Sequence, residues 1–217
     1  MKKPNRLIDA GLDQLKNMLS HMGELAYKTV STSINGYIKG ENTFAEVSNQ
    51  SDILTSIAEE AETKVFELIA RFQPVASDLR ILKSYMKITY DFARYGRYAL
   101  DVAQICERLD GVKECEEWIK DLIVEMSSKV LDMISVSVNS LKNHDVRLAK
   151  TLSEMEKHID ELYFKYLDIL VVEAPTTTRC TISSVLVVRY LERIADHATY
   201  IGESVIYLAT GDKVTLR

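Results

Sequence analysis

The sequence predicts an all-α protein built as two pseudo-symmetric three-helix bundles, and three observations predict it. Backbone breakers are scarce: there are eight glycines and three prolines in 217 residues, whereas a sandwich or barrel needs a turn every ~8–12 residues. Apolar residues recur at steps of four and three along six separate stretches, the spacing of a helix with one buried stripe. The second half of the chain then repeats the pattern of the first at a nearly constant offset, as a duplicated structural unit does.

The stripes follow one another in order. The first helix carries Leu15, Leu19, Met22, Ala26 and Val30, and the Gly36 to Gly40 stretch ends it. The second carries Leu54, Ala58, Ala61, Val65, Leu68 and Phe72. Pro74 is expected in the first turn of the third helix, where a missing N–H costs nothing. That helix carries Ile88, Phe92, Tyr95, Ala99, Val102, Cys106 and Leu109, and Asp110-Gly111 ends it. The fourth carries Ile119, Ile123, Met126, Val130 and Met133. Asn143-His144-Asp145 breaks the chain, with Asp145 as the N-cap of the fifth. The fifth helix runs through Leu148, Leu152, Met155, Ile159, Leu162, Tyr166 and Ile169. Pro175 and the threonines after it open the sixth, which carries Val187, Leu191, Ile194, Ala198, Ile201, Val205 and Leu208 and closes at Gly211. The β-branched run at 181–188 reads locally as a strand, but a helical stripe continues through it and decides for helix. Helices of about 30 residues are ~45 Å long.

The repeat is visible position by position. Met22, Ser31 and Asn35 match Met126, Ser135 and Asn139 at an offset of 104. The middle stripes, Leu54 to Leu68 against Met155 to Ile169, match at 101, as do Pro74 and Pro175. Arg80 and the third stripe match Arg179 and the sixth at 99. The offset changes only between helices, where loops absorb length differences. The chain divides accordingly into a first repeat over 1–110 and a second over 111–217, with the linker near 108–115.

Composition narrows the functions. With 47% hydrophobic and 27% charged residues the chain can bury a core. A net charge of −5 and a pI near 5.5 disfavour nucleic acid as a partner. Cys106, Cys115 and Cys180 form no Cys-x-x-Cys pair, so neither a thiolate zinc site nor a disulfide framework is expected, and a reducing cytoplasm is the simplest compartment. The N-terminal stretch lacks the apolar run of a secretory signal. Apolar runs such as Val185 to Val188 fall far short of the ~20 residues that cross a bilayer. A soluble protein that meets a membrane only through a partner is expected.

The sharpest chemical feature is an acidic face on the sixth helix. Glu192, Asp196 and Glu203 are spaced four and seven apart, and like charges at i, i+4 cost a few tenths of a kcal/mol unless compensated. Arg189 and Arg193 are candidate compensators, and so is a bound cation, since hard metal ions take carboxylate oxygens. Glu192 and Asp196 are the candidate metal ligands, for iron, Mg²⁺, Mn²⁺ or Zn²⁺, and His197 adds a nitrogen if its side chain turns toward them. An E-x-x-x-D spacing alone is more often a solvated helix face. Glu156 and Asp160, a second such pair on the fifth helix, are read as solvated. At the offset of 99, Ala93 and Arg97 replace the acidic pair in the first repeat, with Asp91 the nearest acidic residue. No Glu-x-x-His motif supports a di-iron oxidase, no glycine-rich loop cradles phosphate, and no motif places a nucleophile. Neither a catalytic residue nor an organic cofactor site is assigned. Trp118 is expected to pack at the edge of the core.

Two blocks carry a family resemblance. Arg189-Tyr190-Leu191-Glu192-Arg193-Ile194-Ala195-Asp196-His197-Ala198-Thr199, with Tyr207-Leu208-Ala209-Thr210-Gly211 beyond it, resembles the last helix of the PhoU phosphate-regulator family. Gln73-Pro74-Val75-Ala76-Ser77-Asp78-Leu79-Arg80 is similar to its counterpart in the first repeat, and Met22-Gly23-Glu24-Leu25 to the opening helix. The resemblance covers nearly the whole chain. It implies a PhoU-like, spectrin-like pair of three-helix bundles and a non-enzymatic accessory role in phosphate uptake and homeostasis. The implied role is negative regulation, by a cytoplasmic homodimer that docks on a phosphate ABC transporter, a sensor kinase or both. It also implies metal binding at E(D)-x-x-x-D motifs, which carries over to Glu192 and Asp196. The same module could serve another ion transporter, and a metal-dependent helical-bundle enzyme is the reading from a different class.

Overall fold

A computed structural model describes residues 6–173 and 177–217. Six helices follow in order: α1 (Asp9–Lys39), α2 (Phe44–Phe72), α3 (Ser77–Leu109), α4 (Glu117–Asn143), α5 (Val146–Val172) and α6 (Thr178–Thr210). No strand occurs among the described residues.

Burial follows the apolar stripes. Leu15, Leu19, Met22, Ala26 and Val30 of α1 are enclosed, as are Val187, Leu191, Ile194, Ala198, Ile201 and Val205 of α6. Each large aliphatic chain so removed from water contributes about 1.5–3 kcal/mol. The 181–188 segment is helical throughout, so tertiary packing of its stripe overrides β-branched propensity. On α5 the stripe is looser. Leu148, Met155 and Ile169 are half-buried, while Ala149 and Glu156 turn inward.

Most of the expected breaks are in place. Gly40 ends α1 at φ 65° and Gly211 ends α6 at φ 86°, the left-handed cap that glycine adopts at least cost. Asp145 caps α5, its carboxylate accepting from the N–H groups of Arg147 and Leu148. Asp110 ends α3, and Gly111 follows at φ 67° with its Cα so near α1 that a Cβ would lie 2.3 Å from the Tyr37 carbonyl oxygen. The linker is therefore fastened to the end of α1. Pro74 departs from expectation. α3 starts at Ser77, and Pro74 directly follows Gln73, the left-handed C-cap of α2. A proline disfavours helical geometry in the residue before it, so Pro74 stops α2 rather than starting α3. Pro175 and Thr176, expected to open α6, lie outside the described residues; Thr177 caps that helix by accepting from the Cys180 N–H.

Helices α1–α3 pack on one another, and α4–α6 do the same. The two trios meet along α3 and α6, and again where α1 lies on α4. Across this seam the Tyr37 hydroxyl lies 2.7 Å from Ser183 Oγ, both buried, and Lys142 donates to Glu24 at 2.6 Å. Trp118 packs on the core edge, its ring 6.0 Å from that of Tyr166. Among the described residues no helix is long and apolar enough to cross a membrane.

The cysteines correct the sequence reading. Cys115, just before α4, is disulfide-bonded to Cys180 in the first turn of α6, with Cα atoms 5.2 Å apart, and Cys106 is free and buried. The two positions are 65 residues apart in sequence. Only the return of α6 to the linker brings them together, so no spacing motif marks them. Cysteine usage therefore no longer argues for a reducing compartment.

Candidate functional site

The acidic face of α6 is buried against α5. Glu192 is 7% exposed and Asp196 1%. Each is met by an arginine three residues away on its own helix: Arg189 lies 2.8 Å from Glu192 Oε2, and Arg193 2.8 Å from Asp196 Oδ2. A third arginine arrives from the segment after α6. Arg217 Nε is 3.2 Å from Asp196 Oδ1 and 3.9 Å from Glu156 Oε1. Leu216 anchors that segment. Its side chain is buried beside Gly202 and its N–H donates to Glu203 at 3.1 Å.

The pair on α5 belongs to the same cluster, which the sequence reading missed. Glu156 is 4% exposed, far from solvated. Burial, then the neighbouring Asp160 and Asp196, push its carboxyl above the usual range. Asp160 is raised by burial and by Asp196, and Glu192 by burial and by Asp196. Four carboxylates on two packed helices thus share three arginines. The signal available in sequence was the matched i, i+4 spacing of the two acidic pairs; what hid it was the one-position turn of the α5 stripe that buries Glu156.

Two other expectations resolve differently. Glu203 shares the helix but serves the tail, accepting from Leu216 and lying 3.8 Å from Lys87. His197 does not turn toward Asp196. Its Nδ1 is 2.8 Å from Asp91 Oδ1 on α3, so Asp91 pairs with histidine across the seam between repeats. In the first repeat Ala93 lines a mainly apolar groove of about 780 Å³ between α2 and α3 with Thr55 and Glu59, and Arg97 is exposed. The carboxylate cluster is confined to the second repeat.

Hard cations suit the donors present. Glu192 Oε2 and Asp196 Oδ1 are buried and make no hydrogen bond among the described residues, their arginine neighbours supplying charge alone. Carboxylate oxygens in that condition fit an ion of the Mg²⁺, Mn²⁺ or iron class. As placed, no three His, Cys, Asp or Glu side chains among the described residues converge on one point. An ion would have to displace an arginine to enter.

Comparison with known proteins agrees with this architecture. The family model of the PhoU domain matches residues 19–106 and again 123–205. The chain belongs to the PhoU domain family. It is 33% identical over 216 residues to a phosphate-specific transport system accessory protein PhoU homolog of Clostridium acetobutylicum, covering 97% of this chain and 98% of that one. A Pseudomonas aeruginosa protein of the same name is 30% identical over 214 residues, with 95% and 86% covered. The crystal structure of PhoU from Pseudomonas aeruginosa superposes with a TM-score of 0.89 at 29% identity, covering 94% of this chain and all of that one. That of the phosphate transport system regulatory protein PhoU from Streptococcus pneumoniae has a TM-score of 0.83 at 21% identity, covers 95% of this chain and 99% of that one, and shows the shared fold. The two matched segments of the PhoU family coincide with the two helical trios.

Proposed function

We propose that this protein is a non-enzymatic accessory regulator of phosphate uptake, which docks on the cytoplasmic side of a phosphate ABC transporter, on its sensor kinase, or on both, and holds uptake down. The observation that carries this reading is the end-to-end match to a phosphate-specific transport system accessory protein, over 97% of this chain. The shape agrees with the role. Long packed helices present broad faces, and among the described residues no three His, Cys, Asp or Glu side chains converge on one point. The working form is a homodimer, the commonest closed assembly.

Glu192 and Asp196, with Glu156 and Asp160 beside them, form the metal site in this reading. A bound divalent ion supplies positive charge to the α5–α6 face and so sets how that face meets its partner. Deleting the gene should raise phosphate uptake under phosphate sufficiency, and tagged protein should recover a transporter ATPase or a kinase from membrane extracts. Unchanged uptake together with recovery of a different ion transporter would assign the module to that transporter instead.

A further inference from the structure

A second polar site lies on the other side of α6, where it crosses α3. Lys87, Asp91, Arg94, Tyr98, His197 and Tyr200 line a solvent-open cavity of about 400 Å³. Asp91 and His197 are buried in its wall, their side chains 3% and 5% exposed. With His197 Nδ1 donating to Asp91 Oδ1, each residue keeps one buried atom with no hydrogen-bond partner among the described residues: His197 Nε2 and Asp91 Oδ2. Leaving buried polar atoms unpaired is costly, and both residues line the cavity, so a ligand that enters it finds two polar groups still to be satisfied. Tyr98 and Tyr200 stand 5.6 and 5.3 Å from the His197 ring.

The rim is cationic. Arg94 donates to the Tyr98 hydroxyl at 2.6 Å and forms no ion pair among the described residues. Burial alone would raise the Tyr98 phenol, yet bonds from Arg94 and Arg193 pull it below its ordinary value. Asp91 is held by His197, and Glu203 is met by Lys87 and by the Leu216 N–H. The arrangement therefore combines positive charge at the mouth with unfilled acceptors inside. A bare cation is repelled by the first, and a fully deprotonated oxyanion by the second. An oxyanion that still carries a proton satisfies both.

We propose that this cavity binds inorganic phosphate as its hydrogen form, the anionic oxygens on Arg94 and Lys87 and the P–OH donating to His197 Nε2 or Asp91 Oδ2. Phosphate keeps such a proton at neutral pH and sulfate does not, so the site separates two ions of nearly equal size by one hydrogen bond. Losing a partner for a charge-assisted bond is worth about tenfold or more in affinity. The inference goes beyond docking on a transporter and does not depend on the carboxylate cluster.

Titrating phosphate into full-length protein at constant ionic strength, with labelled histidine followed by NMR, tests it. A saturable shift at His197 is expected, with sulfate at least about tenfold weaker. Arg94→Gln and Lys87→Gln, both on the accessible rim, should weaken phosphate binding, while Arg97→Gln, exposed one turn away, should not. Equal response to phosphate and sulfate, a linear unsaturated shift, or full binding by Arg94→Gln would overturn the assignment. So would a His197 response to Mn²⁺ or Zn²⁺ with none to phosphate. Circular dichroism melting of each variant separates lost binding from lost folding.

Discussion

Arg217 reaches back over α6 to put its Nε 3.2 Å from Asp196 Oδ1, in the place a cation would take on the acidic seam. The contact is held by Leu216, whose burial beside Gly202 fixes the tail. A metal ion bound by Asp196 would therefore compete with the guanidinium for one carboxylate. Arg217→Ala is expected to strengthen Mn²⁺ binding about threefold to tenfold, the range of a single partly exposed ion pair of roughly 1 kcal/mol. Calorimetric titration of wild type and variant decides it, and weaker binding by the variant would show that Arg217 supports the site instead of filling it.

The carboxylates themselves can be removed with little change of shape. Glu192→Gln with Asp196→Asn keeps side-chain volume while deleting the charge that Arg189 and Arg193 answer. Helicity should stay, because the α6 stripe is untouched. Metal content of protein purified without chelator should fall to background. Retained metal after this double change would place the ion elsewhere.

Much of this was legible in sequence, for a physical reason. Helices with one buried stripe write their period directly into the chain, so the α1 and α6 stripes matched their burial residue for residue, and the duplication followed from their offset. Caps made by a local side chain, such as Asp145, were equally readable. Contacts set by tertiary return were not. The Cys115–Cys180 bond, the approach of Glu156 to Asp196 and the Asp91–His197 pair each join segments far apart in the chain. Pro74 was misplaced because a proline suits both the end of one helix and the start of the next, and only the Gln73 cap distinguishes them.

The acidic seam should also tilt the stability profile. Burial and Asp196 raise the folded-state pKa of Glu192 above its ordinary 4.5. Between the unfolded and folded values the native state holds the extra proton, so stability is highest below 4.5 and is lost as pH rises through the folded pKa. Glu192→Gln removes this group's titration. Its melting temperature relative to wild type should therefore rise from pH 4 toward pH 7 in chelator. A constant difference across that range would mean that Arg189 fully offsets the burial of Glu192.

The disulfide has a measurable consequence that does not depend on any ligand. Linking Cys115 to Cys180 closes a loop of 65 residues that holds all of α4 and α5. Restricting the unfolded chain in this way typically stabilises by about 2–4 kcal/mol. For a chain of this size each kcal/mol moves the melting point by roughly 2–4 °C. Cys115→Ser with Cys180→Ser, or reductant added to the wild type, should lower the melting temperature by about 4–16 °C on those two scales. Reductant should leave the double variant unchanged, since Cys106 has no partner. Thiol titration of the unreduced, denatured protein should find a single reactive cysteine, and a count of three would show that the bond does not form.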